Sequence, residues 1–85
     1  MEIVFTSEAE KGLKFWRETN NEKVLKRVRE LLESTIETPA QGIGKPEALK
    51  YNLTGLWSRR INQQHRLIYE FNKERVIIHS VKGHY

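Results

Sequence analysis

An α+β fold, with two helices laid on one face of a twisted antiparallel sheet, is what this chain predicts. Three observations predict it. The opening segment is β-branched and aromatic, two consecutive stretches then carry apolar residues at helical spacing, and the closing stretch alternates apolar with polar residues between short connections.

The elements follow in order. Glu2 to Thr6, reading EIVFT, is a strand, and it stops at Ser7, whose hydroxyl with Glu10 three residues later reads as a capping box that opens a helix. From Ser7 to about Thr19 the residues Ala9, Leu13 and Trp16 recur at helical spacing, and Asn20 or Asn21 ends that helix and caps the next. The second helix lines up Val24, Leu25, Val28, Leu31, Leu32 and Ile36. Lys26, Arg27, Arg29, Glu30 and Glu33 point to water, a solvated face that would also suit phosphates. Thr38-Pro39 stops it. Two glycines and Lys45-Pro46 then make an irregular loop in which the proline is expected to hold Lys45 extended. Trp57, Arg59 and Ile61 alternate with Ser58, Arg60 and Asn62, and Leu67, Tyr69 and Phe71 alternate with Arg66, Ile68 and Glu70. Val76 to Val81, VIIHSV, reads as a buried strand, and the connections at Asn62-Gln63-Gln64 and Asn72-Lys73-Glu74 suit hairpins.

The totals bound what such a chain can be. Its 85 residues fit one domain, 1–85, with a modest core. There is no cysteine, so disulfides and thiolate zinc sites are excluded and the cytosol is the expected compartment. No segment reads as a membrane span or a secretory leader. Lys and Arg number 15 against 11 Asp and Glu, a net charge of +4 that suits a polyanionic partner without requiring one.

Individual residues offer chemistry against plainer readings. Period 2 puts Arg66 on the face away from Leu67, Tyr69 and Phe71, where it could meet a ligand or simply pair with Glu70. Glu47, just past a proline, is a solvated loop carboxylate or the first turn of a short helix unless a site claims it. His79 reads as a hydrogen-bonded structural histidine inside its strand, and His65 as a hairpin cap. The three histidines lack metal-site spacing, Gly42-Ile43-Gly44-Lys45 lacks the rest of a phosphate loop, and no serine stands in a nucleophile elbow. No metal or other cofactor is expected. The sequence closes on Lys82-Gly83-His84-Tyr85, directly after the most apolar strand, so an imidazole and a phenol extend from backbone that a sheet would hold. A carboxylate, an arginine, lysines and a His-Tyr pair are sufficient equipment for cleaving RNA with its own 2′-hydroxyl. Such a site need only take up the 2′ proton, neutralise the phosphoryl oxygens and protonate the leaving 5′ oxygen.

The stretch GKPEALKYNLTGLWSRRINQQHRLIYEF, with the closing HY, resembles the YoeB family of bacterial toxins within the RelE/ParE superfamily. The likeness runs the length of the chain. Its most specific pieces are KPE-x-LK, N-L-[ST]-G-x-W-S-R-R-I and H-R-L-x-Y, in that order. The resemblance implies a microbial ribonuclease-like fold and a ribosome-dependent endoribonuclease that cleaves mRNA in the decoding site and needs no cofactor. By matched position Glu47 would be the general base, Arg66 would stabilise the phosphorane and His84 would be the general acid. Lys50 and Arg60 would be further cationic contacts, and Tyr85 would shape the site. The implied partners are mRNA, the ribosome and a cognate antitoxin of the YefM kind, with a homodimer left open and no membrane. Gln64 and Lys82-Gly83 depart from the family pattern without touching an implied catalytic group. Two rivals share the scaffold: a ParE-like toxin that binds DNA gyrase without cutting RNA, and a non-catalytic binding module.

Overall fold

The protein is described from a computed structural model, which describes residues 1–83. Strand β1 (Glu2–Phe5) is followed by helices α1 (Ser7–Glu18) and α2 (Glu22–Glu37), then by β2 (Glu47–Ala48), a 3-10 turn at Tyr51–Leu53, β3 (Trp57–Arg60), β4 (Arg66–Phe71) and β5 (Arg75–Ser80). The five strands form one sheet in the order β1-β5-β4-β3-β2. β2 to β5 are antiparallel, as expected, whereas β1 runs parallel to β5, which makes the sheet mixed. The connection between these two parallel strands runs through both helices and then β2 to β4. The predicted α+β arrangement is the one observed.

Both helices pack on one face. Ala9, Trp16, Val24, Val28 and Leu31 meet Ile61, Leu67, Tyr69, Val76, Ile78 and Val81 in a single core. The first helix begins as read but is capped one residue earlier. Thr6, extended at φ −70° and ψ 166°, accepts the Ala9 amide on its hydroxyl. The same hydroxyl donates to the His79 carbonyl at 3.2 Å, so Thr6 joins β5 and α1, which Ser7 is too far along to do. Asn20, at φ 54°, ends α1, and the Asn21 side chain accepts the Val24 amide to open α2. Both predicted hairpins are present. Each is closed by an asparagine carbonyl: Asn62 accepts Gln64 and His65 amides, and Asn72 accepts Glu74 and Arg75 amides.

Arg59 organises the part of the fold that carries the candidate site. Its side chain is wholly buried on the helix side of β3, and among the described residues it pairs with no carboxylate. Five acceptors take its N–H groups: Tyr69 Oη, Ser34 Oγ and the carbonyls of Ile43, Thr38 and Gln41, at 2.7 to 3.1 Å. A guanidinium has five such donors, so none is left over. Ser34 and Thr38 belong to the end of α2, where the helix exposes carbonyls and favours a cation. The arginine therefore closes α2 and fixes the loop running toward β2. Gly42 and Gly44 pass against it in left-handed backbone, at φ 109° and 84°. Lys45 is not extended as its proline suggests but has φ 53°. The loop is held from both sides, by Arg59 and by the Arg60 amide on the Gly44 carbonyl at 2.7 Å, and that tethering overrides the local preference.

Tyr69 completes this cluster by donating to the Pro39 carbonyl at 2.7 Å. Burial raises its pKa above the ordinary 10.0, against the lowering effect of the Arg59 hydrogen bond and charge. The fold thus favours the neutral phenol. Its contribution to stability is complete below pH ~10 and is lost as the pH climbs through the raised value. Alkaline titration followed by phenolate absorbance and circular dichroism should show Tyr69 ionising late, together with loss of structure.

Candidate functional site

The sheet face turned away from the helices brings two of the three predicted catalytic residues onto one surface. Glu47 lies opposite Ser58, Ser58 opposite Ile68, and Ile68 opposite Ser80, so these four form a row across β2, β3, β4 and β5. Arg60 and Arg66 are directly opposite each other in the next row. Standard strand spacing and rise place the Glu47 and Arg66 Cα atoms about 12 Å apart. That span lets a carboxylate and a guanidinium reach a phosphodiester between them. Ser58 and Ser80 are short, and the long side chains of Glu47, Arg60 and Arg66 stand around them, so the floor is low and the rim charged.

Glu47 is exposed in a two-residue strand at the sheet edge, not in a loop or a helical turn. Its placement follows from the pairing with β3, extended by the Leu49 amide on the Leu56 carbonyl at 2.8 Å. Arg66 is half-buried at the start of β4. It does not pair with Glu70. That carboxylate instead meets His79 Nε2 at 2.8 Å on the same face, which bears out the structural reading of His79. Arg60 is exposed. Lys50 is exposed too, just past the last ladder bond of the β2 edge, where it caps the 3-10 turn, so strand register does not assign it to the row. Among the described residues, no group of three His, Asp or Glu side chains is placed to hold a metal.

His84 and Tyr85 lie outside the described residues. The backbone leading to them is well held: the Arg66 amide donates to the Gly83 carbonyl at 2.8 Å, so the chain enters His84 from a residue bonded to Arg66. A bulge in β5 makes this possible. Ile78 is opposite Tyr69 and Ser80 opposite Ile68, which leaves His79 as the extra residue and reverses the alternation beyond it. Val81 consequently joins Val76 and Ile78 in the core, and Ser80 faces the candidate site. Simple period-2 counting through VIIHSV misses both. Two clefts, of about 520 Å³ beside the start of α2 and about 620 Å³ between α1 and β1, lie elsewhere, and neither is lined by Glu47, Arg60 or Arg66.

Comparison with known proteins gives one consistent family. The profile of the YoeB-like toxin of bacterial type II toxin-antitoxin systems matches residues 5–85. Toxin YoeB of Escherichia coli K12 is 39% identical over 85 residues, all of both chains. A YoeB/ParE toxin from Agrobacterium tumefaciens superposes with a TM-score of 0.93 at 32% identity, again over the whole of both chains. YoeB of Staphylococcus aureus, solved as a dimer, is 44% identical with a TM-score of 0.91, covering 100% of this chain and 98% of that one. The same toxin is also known in a heterotetrameric complex with YefM.

Proposed function

This chain belongs to the YoeB-like toxins of bacterial type II toxin-antitoxin systems, and we propose that it is an endoribonuclease that cuts mRNA in the ribosomal decoding site. The observation that carries the reading is the register across β2, β3 and β4, which puts Glu47, Arg60 and Arg66 on one face while Gly83, bonded to Arg66, leads into His84. Glu47 takes the 2′-hydroxyl proton as the 2′ oxygen attacks phosphorus. Arg66, with Arg60 beside it, neutralises the charge gathering on the phosphoryl oxygens. His84 protonates the departing 5′ oxygen. Lys50 adds a cation near the backbone of the messenger, and Tyr85 shapes the site. Protein groups suffice for each proton and charge, so the reaction needs no metal.

A shallow face with a charged rim does little to align RNA for in-line attack by itself, and this favours a substrate presented by the ribosome. A YefM-like antitoxin, as in the Staphylococcus aureus complex, neutralises the toxin, and a second copy of the chain is a further partner by likeness to the dimer. The single domain acts in the cytoplasm. No helix among the described residues is long and apolar enough to cross a membrane.

The test is to map mRNA ends after brief expression and to repeat cleavage with purified ribosomes. Wild type should leave cuts inside translated codons with 5′-hydroxyl ends. His84→Ala and Arg66→Ala should each slow cutting by about 10²-fold or more. Intact messengers together with stalled DNA replication would refute the ribonuclease reading in favour of gyrase poisoning.

A further inference from the structure

We propose that His65 is a positioning residue for this reaction: its neutral imidazole holds the backbone segment that delivers His84. The inference rests on the ribonuclease reading, in which His84 is the acid. Read locally, His65 is a turn histidine, and its backbone fits that description, with its amide on Asn62 Oδ1 at 2.8 Å and its carbonyl accepting Ile61 at 3.0 Å. Its ring does something else. The Gly83 amide, eighteen residues further on, donates to His65 Nδ1 at 2.9 Å.

Among the described residues the segment beyond β5 has few other ties, one of them Lys82 Nζ over the Phe15 ring at 4.5 Å. Ser80 Oγ bonds the Lys82 backbone, at 2.8 Å to the carbonyl and 3.3 Å from the amide, which shapes a local turn but attaches it to no other element. Trp16 Nε1 donates to the Val81 carbonyl at 2.9 Å from within the core. Gly12 of α1 lies so close over this point that an added Cβ would come within 2.7 Å of a Val81 methyl. After Gly83 turns into left-handed backbone, at φ 92°, its amide is satisfied by the imidazole and its carbonyl by Arg66. His65 and Arg66 are neighbours, so one short piece of chain grips Gly83 on both sides, immediately before the proposed acid.

The imidazole is itself fixed. Trp16 packs edge-to-face against it, with centroids 4.8 Å apart and planes at 81°. Trp16 thus secures Val81 with its indole N–H and the His65 ring with its flank. A backbone amide can only donate, so Nδ1 must be the unprotonated nitrogen and the proton sits on Nε2. The tautomer is dictated by the tail. Removing the acceptor leaves Gly83 held on one side, and misplacement of a catalytic group by about 1 Å costs about 10²-fold in rate.

The experiment compares wild type, His65→Ala and His65→Asn on ribosome-bound mRNA, with Gly83 amide exchange and imidazole nitrogen signals followed by NMR. Asparagine restores an acceptor near the place of Nδ1. We expect His65→Ala to lose about 10²-fold in cleavage rate at unchanged KM with a faster-exchanging Gly83 amide, and His65→Asn to recover both. Wild-type His65 should show its proton on Nε2. A folded His65→Ala protein that cuts at the wild-type rate overturns the proposal, as does a proton on Nδ1. If the alanine variant fails to fold, His65→Asn decides: protection of Gly83 without restored cutting also overturns it. Wild type that cuts no RNA refutes the ribonuclease reading, whereas a cutting wild type matched by His65→Ala refutes the positioning role alone.

Discussion

A messenger carrying 2′-deoxyribose at the single cut position should survive exposure to the protein and ribosomes, while deoxy substitution one nucleotide to either side leaves cutting intact. In the proposed step the 2′ oxygen forms the new bond to phosphorus and the bond to the 5′ oxygen breaks. The 2′ proton goes to Glu47 and the leaving oxygen receives one from His84. An oxygen already joined to the same sugar acts with an effective concentration of about 10⁵ M or more, so its removal should cost about 10⁵-fold in rate, below detection in an ordinary gel assay. Persistent cutting with 5′-phosphate ends would mean that water attacks instead, and the roles given to Glu47 and His84 would fall together.

The largest effect on stability should come from Arg59→Met, although position 59 is on the side of β3 opposite the candidate site. The substitution fills the space but withdraws the guanidinium N–H groups from five acceptors: the Thr38 carbonyl at the end of α2, the Gln41 and Ile43 carbonyls of the loop, the Ser34 hydroxyl and the Tyr69 phenol. A buried acceptor left without its donor costs about 1–3 kcal/mol, and here several contacts are lost at once. Domains of this size have a total stability of only about 5–15 kcal/mol, and each kcal/mol corresponds to about 4–8 °C in melting temperature. Arg59→Lys should fall between the two, since an ammonium offers three donors. Urea unfolding by circular dichroism measures both variants. A methionine variant with wild-type stability would show that the loop carbonyls are satisfied without Arg59.

Much of this architecture was readable from residue order, and the limits have identifiable physical causes. Helical stripes and alternating strands find the core because period follows burial, and the same alternation puts Arg66 on the face away from Leu67, Tyr69 and Phe71. The helix begins at Ser7 as its pattern predicts, but the cap is Thr6 rather than Ser7 because the two are equally good caps locally. The choice falls to Thr6 through its bond to His79, seventy-three residues away. β2 has too few residues for any period, and the face of Glu47 is decided by pairing with β3. Alternation groups Arg59 with Trp57 and Ile61, but its partners lie in a loop with no pattern of its own. The bulge at His79 changed which residues of β5 face the site, and nothing in VIIHSV announces it. His84 and Tyr85 were assigned through family likeness, and their roles stand on the proposed chemistry.

Placement of β5 between β1 and β4 bears on when the protein can become harmful to the cell that makes it. Among the described residues β5 is the last strand to be synthesised, yet β1, made first, pairs with no other strand, and α1 packs against β5. A growing polypeptide therefore holds an unfinished sheet until β5 emerges, because its longest-range pairing has to wait. Under the proposed function, the face that carries Glu47 and Arg66 is therefore complete only after β5 has left the ribosome.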